Sequence, residues 1–240
     1  MSEKTYAFRA PPGLIETRRL AGFDVVALAN NHALDFGVVG LEDTRTALAS
    51  VGVGWFGAGV TEVEAWRPLI LERGGATVAL LWFSEVADSN FATSGQAGVA
   101  RAELDSIREA VSEAQERVDY VVVVMHLGGE YVSLPTEAQH PLARAAIEAG
   151  TAAVVGSHAH VLQPWERYGG GVIVYELGNF VFDLDRENLE VLGEGPFATA
   201  VLVLELSEGA EPSVEFRPAY IDAEESRPRP ASAAEEERVL

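Results

Sequence analysis

Four of the five histidines, His32, His126, His158 and His160, each follow a strongly apolar run of the chain. Imidazole is the commonest protein ligand for zinc-like and manganese-like ions, and neutral His combined with Asn or carboxylate oxygen suits a borderline divalent cation. A single His at a strand end is an ordinary structural residue. Four in the same topological place, on parallel strands ending at one edge, converge in space. The pair His158-x-His160 sharpens the signal, because two residues apart in extended chain both rings lean to one face and can grip neighbouring ions. It is not the helix-borne H-E-x-x-H pattern.

The stretch FDVVALANNHALDFG, residues 23–37, delivers an apolar run into Asn30, Asn31, His32 and Asp35. Asn and Asp bond their own backbone and tolerate left-handed conformations, which reads as a turn. The functional reading is a ligand-bearing loop at the carboxyl end of a buried strand, where open α/β sheets place their sites. Glu130, Asp35 and Asp183 fall in polar loops near the histidines and are candidates for orienting them. Ser157 lies beside His158, but V-G-S-H-A is not the G-x-S-x-G of a nucleophile elbow. The glycines of GVGWFGAG (52–59) have no following Lys and read as turn residues rather than a phosphate cradle. His140 is expected on a helix surface.

These residues need strands to deliver them. Residues 13–21 have helical spacing and stop at Gly22. FDVVALA (23–29) reads as a strand, 40–52 as a helix closed by Gly52, and VGWFGAG as a short apolar run, which is a βαβ rhythm. A short helix is expected around 61–67. RPLILER (67–73) and TVALLWF (77–83) flank Gly74-Gly75 and read as a hairpin, so the sheet is expected to be mixed. Residues 101–117 form a charged helix leading into YVVVVMH (120–126), whose continuous Val run suits a strand covered on both faces. A helix follows to Ala149, starting near His140. AAVVGSHAH and GVIVYELGNFVFD (171–183) repeat the pattern of strand into polar loop, and ATAVLVLEL (198–206) and SVEFRPAYID (213–222) alternate as antiparallel neighbours. The Pro- and Glu-rich tail, 223–240, is expected to pack poorly.

Composition narrows the function. With 240 residues and 48 % hydrophobic content the chain can bury a large core as one domain or a closely joined pair of subdomains. Cysteine is absent, which removes thiolate metal sites, disulfides and Cys nucleophiles. A net charge of -20 argues against a nucleic-acid footprint, which needs clustered Lys and Arg. Lys4 is the sole lysine, and Arg supplies the remaining positive charge. Adaptation to high salt and a coding bias toward Arg both account for that balance. Apolar runs stop well short of the ~20 residues that span a bilayer, and the first residues lack a secretory core, so the chain as written reads as soluble.

Taken in order, ANNHALDFG, the strand-end H-x-G-x-E-Y of 126–131, GSHAHVLQ (156–163) and VYELGNFVFD (174–183) resemble the bacterial capsule-synthesis protein family of the CapA type. That family is associated with poly-γ-glutamate capsule biosynthesis and is related in fold to calcineurin-like metallophosphoesterases. The resemblance runs from about residue 11 to RPRPA at 227–231. It implies an α/β fold, a layered α/β/β/α sandwich with mixed sheets, over 13–222, behind an extended segment, 1–12. It further implies Asn31, His126, His158 and His160 as metal ligands, and His32 as a proton donor facing substrate; Asp35, the loop acid beside His32, is expected in the catalytic set with it. Glu130 and Asn179 match family positions at the site, and Asn30 is expected with them around the substrate or behind the ligands. The implied cofactor is one or two divalent ions, Mn, Fe or Zn, that polarise a phosphoryl oxygen and acidify a shared water. The implied activity is metal-dependent hydrolysis of a phosphoester or a γ-linked polyglutamate. The alternatives are a non-catalytic binding or assembly component of capsular polymer export, and an inactive shortened member. Partners would be an anionic polymer or phosphoester and the capsule-synthesis machinery. A chain at -20 repels a polyanion unless bound cations or Arg18, Arg19 and Arg144 offset it. Relatives commonly sit at the outer face of a membrane. The family pattern opens with a strand ending in Gly-Asp and a second acidic motif. Neither precedes ANNH here, so an N-terminally shortened member, missing its first strand or strands and a bridging carboxylate, is expected.

Overall fold

The computed structural model describes residues 6–86 and 90–239. After a 3-10 turn at Pro12–Leu14, α1 (Ile15–Leu20) leads through Gly22, at φ 83°, into β1 (Val25–Ala27). α2 (Gly37–Ser50) and β2 (Gly54–Phe56) complete a βαβ unit in which β1 and β2 pair in parallel. β3 (Ala58–Gly59) precedes α3 (Glu62–Ala65), whose first turn is capped by the Thr61 hydroxyl accepting from the Glu64 N–H at 3.3 Å. The hairpin β4 (Leu69–Arg73) and β5 (Ala76–Ser84) turns on Gly74 and Gly75, both at positive φ, as the Gly-Gly pair requires. There follow β6 (Gly98–Val99), α4 (Leu104–Gln115), β7 (Tyr120–His126), α5 (Gln139–Glu148) and β8 (Ala153–Ser157). The chain continues through β9 (Leu162–Tyr168), β10 (Gly171–Leu177), α6 (Arg186–Leu192), β11 (Ala198–Glu205), β12 (Ser213–Asp222), β13 (Arg227–Pro230) and α7 (Ala233–Val239).

The main sheet has six strands in the order β4-β5-β7-β8-β10-β9. Its four central strands are parallel and its two edges antiparallel, so the expected mixed sheet is present. One face is apolar by strand alternation. Ala79, Leu81 and Phe83 of β5, Val121, Val123 and Met125 of β7, Val154 of β8, and Ile173 and Tyr175 of β10 pack on α4 and α5 through Ile107, Val111, Leu142 and Ile147. Fully burying each large aliphatic side chain stabilises the fold by about 2 kcal/mol. A smaller cluster joins Trp82 of β5 to Ala29, Leu41, Ala58 and Val99. β11-β12-β13 forms a second, antiparallel sheet; β11 lies against β9 and β10, and α7 packs on β11 and β12. These layers are those of the expected α/β/β/α sandwich.

The tail differs from the expectation of poor packing. Residues 227–230 pair with β12, and Arg229 binds Glu235 of α7 through two 2.8 Å hydrogen bonds. That fork holds the Glu235 carboxyl down to about 2. β9 and α6 were not expected either. Pro164 and four charged or aromatic positions make β9 read as loop, yet it lies at a sheet edge, where a missing N–H is tolerated. α6 starts at a capping box between Asp185 and Asn188.

Candidate metal and active site

Parallel pairing fixes where the strand ends meet. Ser84, His126 and Ser157 are register partners at the carboxyl ends of β5, β7 and β8. The loops after β7, β8 and β10 leave from this edge, the usual ligand position in such sheets, and the loop after β1, a strand of the separate β1-β2 sheet, reaches it through Asn31. Three of the four histidines expected to converge, His126, His158 and His160, lie together. The His126 and His158 ring centroids are 4.6 Å apart, and those of His158 and His160 are 6.2 Å apart.

Two groupings make up the site. In the first, Asn31 Oδ1 lies 3.1 Å from His126 Nε2, while His126 Nδ1 is 3.1 Å from the Ser157 hydroxyl. Ser157 therefore supports the imidazole from behind. Burial, reinforced by repulsion from His158, His160 and His32, pushes His126 down to about 3. It is neutral at ordinary pH, the form that can bind a cation. In the second grouping, Glu130, His158 and His160 each offer a ligand atom, and these atoms all lie within 4.8 Å of one another. The donor chemistry of both groupings, imidazole nitrogen with amide or carboxylate oxygen, suits a divalent cation.

The backbone that presents the second grouping is held in an uncommon conformation. His158 and His160 have φ of 111° and 61°, and Tyr131 has φ of 60°. Such conformations in non-glycine residues cluster at functional sites. Asn179 grips His160 twice: its Oδ1 is 2.7 Å from Nδ1, and its Nδ2 donates to the His160 carbonyl at 3.2 Å. Asn179 thus holds both the ring and the main chain of His160. Tyr131 stacks on His160 at 5.7 Å, and Phe182 meets it edge-on at 5.0 Å. Beneath the loop carrying Glu130, the buried Gln139 amide accepts from the Thr136 N–H and donates to Gln163, which in turn donates to the Val132 carbonyl.

His32 lies in the loop after β1, beside the Asn31 that meets His126. Asn30 Oδ1 accepts from its backbone N–H at 2.9 Å, and Asp35 Oδ2 lies 2.8 Å from Nδ1. The Asp35 side chain is 1 % exposed and also accepts from the Phe8 N–H at 2.9 Å, while the Phe8 ring packs edge-on against His32 at 4.6 Å. A carboxylate on Nδ1 fixes the imidazole's orientation and leaves Nε2 for chemistry.

Three other sequence readings need correction. Asp183 is exposed and, among the described residues, makes no hydrogen bond to these groups. His140 is not a surface residue; it is half-buried, with Nδ1 2.6 Å from the Tyr175 hydroxyl. Arg144 offers no spare positive charge, because Glu166 takes it through Nε and Nη2 at 3.0–3.2 Å. Glu176 stands outside the sequence expectations. It is 3 % exposed on β10, and its carboxylate accepts from the N–H groups of Ala159 (2.6 Å), Leu177 (3.1 Å) and Gly178 (3.1 Å). A single acid inside GVIVYEL was the available signal.

Residues 1–184 match the family described as bacterial capsule synthesis protein, PGA_cap. The chain is 42 % identical over 163 residues to the PGA biosynthesis protein CapA of Bacillus subtilis, covering 67 % of this chain and 43 % of that protein. It is 35 % identical over 187 residues to the capsule biosynthesis protein CapA of Bacillus anthracis, covering 76 % of this chain and 46 % of that one. The chain thus spans less than half the length of these relatives. Among solved structures, the NAD nucleotidase of Haemophilus influenzae superposes with a TM-score of 0.52 at 13 % identity, over 95 % of this chain and 42 % of that one. That likeness is one of fold. No helix among the described residues is long and apolar enough to cross a membrane.

Proposed function

For this chain, which belongs to the bacterial capsule synthesis protein family, we propose a metal-dependent hydrolase acting on a phosphoester or on the γ-linked backbone of an anionic capsular polymer. The observation that carries the reading is the convergence of His126, His158, His160 and Glu130 at the carboxyl edge of the sheet, with an oriented His32–Asp35 pair on the loop whose Asn31 meets His126. Asn31, His126, His158 and His160 would hold one or two divalent ions, Mn, Fe or Zn, with Glu130 as the carboxylate ligand. Such a cation, when bound, supplies Lewis acidity to a phosphoryl or carbonyl oxygen and lowers the pKa of water.

The chain's own groups do the rest. His32, oriented through Nδ1 by Asp35, presents Nε2 as the proton donor to the leaving group. Asn30 fixes the loop that carries His32, and Asn179 fixes the His160 ring. Tyr131 and Phe182, packed on His160, keep water from its flanks. A polyanion approaching a chain of net charge -20 needs local positive charge, and Arg144 and Arg19 are engaged by Glu166 and Glu16. Bound cations supply it, so the same ions would serve recognition and chemistry.

The test is turnover of a chromogenic phosphodiester and of γ-linked polyglutamate by Mn-loaded and chelator-treated protein, with His32→Ala alongside. Turnover that needs metal and falls by about 10²-fold or more in His32→Ala supports the reading. Turnover indifferent to chelation or to His32, or no turnover of either substrate, contradicts it.

A further inference from the structure

A carboxylate buried in an apolar strand is costly unless its oxygens are satisfied. Among the described residues Glu176 has no cationic partner, and burial raises its carboxyl from 4.5 to about 7. It is held by three backbone N–H groups, two of them its own neighbours at the end of β10. The third and shortest comes from Ala159, across the gap between β10 and the loop after β8. Ala159 is fully buried and sits between His158 and His160, both at positive φ.

Such a non-glycine conformation is strained and persists only where its surroundings hold it. The peptide groups of Ala159 are gripped on both sides. Its N–H goes to Glu176, and its carbonyl accepts from the Tyr131 N–H at 2.8 Å, next to Glu130. One short segment therefore ties together all three members of the second ligand grouping.

We infer that Glu176 is a positioning residue, whose carboxylate, through the Ala159 N–H, holds the His158–Ala159–His160 backbone so that both imidazoles meet Glu130. The inference rests on the metal-site reading above. Gln is isosteric with Glu, but its amide nitrogen cannot accept, so Glu176→Gln leaves at least one of the three N–H groups without its acceptor.

The experiment has two arms. In the first, Mn²⁺ affinity is measured by calorimetry on wild type, on Glu176→Gln and on Val111→Ala, a core variant in α4 on the far face of the sheet. Kd is expected to rise about tenfold or more in Glu176→Gln and to stay at the wild-type value in Val111→Ala. An unchanged Kd in Glu176→Gln, or an equal rise in Val111→Ala, overturns the inference. In the second arm, amide exchange is followed by ¹H–¹⁵N spectra of metal-free protein. Ala159 in wild type is expected to exchange slowly and to speed up about tenfold or more in Glu176→Gln. A wild-type Ala159 amide that exchanges as fast as exposed loop amides overturns the inference without any variant. Wild type that binds no Mn²⁺ contradicts the metal-site reading instead, and the second arm then decides on Glu176 alone.

Discussion

His126 and Glu176 lie at the carboxyl ends of β7 and β10, yet their protonation pulls stability in opposite directions. Burial, with repulsion from His158, His160 and His32, takes His126 from 6.5 to about 3, and burial takes Glu176 from 4.5 to about 7. Between about 3 and 6.5 the unfolded chain carries a proton on residue 126 that the folded chain refuses, so acid erodes stability through this group. Between 4.5 and about 7 the folded chain carries a proton on Glu176 that the unfolded chain has released. Stability from Glu176 is therefore present at low pH and lost as pH rises through about 7. From about pH 7 to about pH 5, each group shifts the unfolding free energy by about 2 kcal/mol, His126 downward and Glu176 upward, so the pair nearly cancels in wild type. Replacing either one exposes the other. Relative to wild type, His126→Asn gains about 2 kcal/mol at about pH 5 against about pH 7, and Glu176→Gln loses about as much. Urea unfolding of chelator-treated protein at both pH values measures this, and taking differences from wild type removes the contribution of surface carboxylates common to all three proteins. Shifts of the same sign in the two variants, or no shift in either, refute the reasoning.

Two further outcomes follow from packing. Gly156 lies on β8 where an added Cβ would collide with the Tyr175 carbonyl oxygen of β10, so Gly156→Ala is expected to lose about 3 kcal/mol in urea unfolding. Arg229→Ala removes the fork to Glu235 that fastens α7, at a cost of about 1 kcal/mol. Its specific signature is faster amide exchange at 233–239, with exchange in β7 unchanged.

The parts of this fold legible in sequence are those where one local rule dominates. YVVVVMH reads as a strand because both its faces are covered, and Gly74-Gly75 reads as a hairpin because both residues need positive φ. The strand-end histidines were legible because parallel strands share one carboxyl edge. β9 and β13 were hidden because edge strands tolerate Pro and polar residues, and their identity comes from the partner strand rather than from their own pattern. Glu176 was hidden for a related reason: its partners are backbone groups, which no side-chain pattern encodes. The same holds for Asn179, whose grip on His160 depends on β10 lying beside β8. His140 was misread because helix periodicity does not register the Tyr175 hydroxyl arriving from the sheet.

Bound metal is the direct test of the converged site. The chain and a His158→Ala, His160→Ala double variant would each be loaded with Mn, Fe or Zn, desalted and submitted to elemental analysis. Retention of about one or two ions per chain by the first, and loss of them in the second, is the expected result. Wild type that retains no ion, or a double variant that retains as much as wild type, contradicts the assignment of this edge as a metal site.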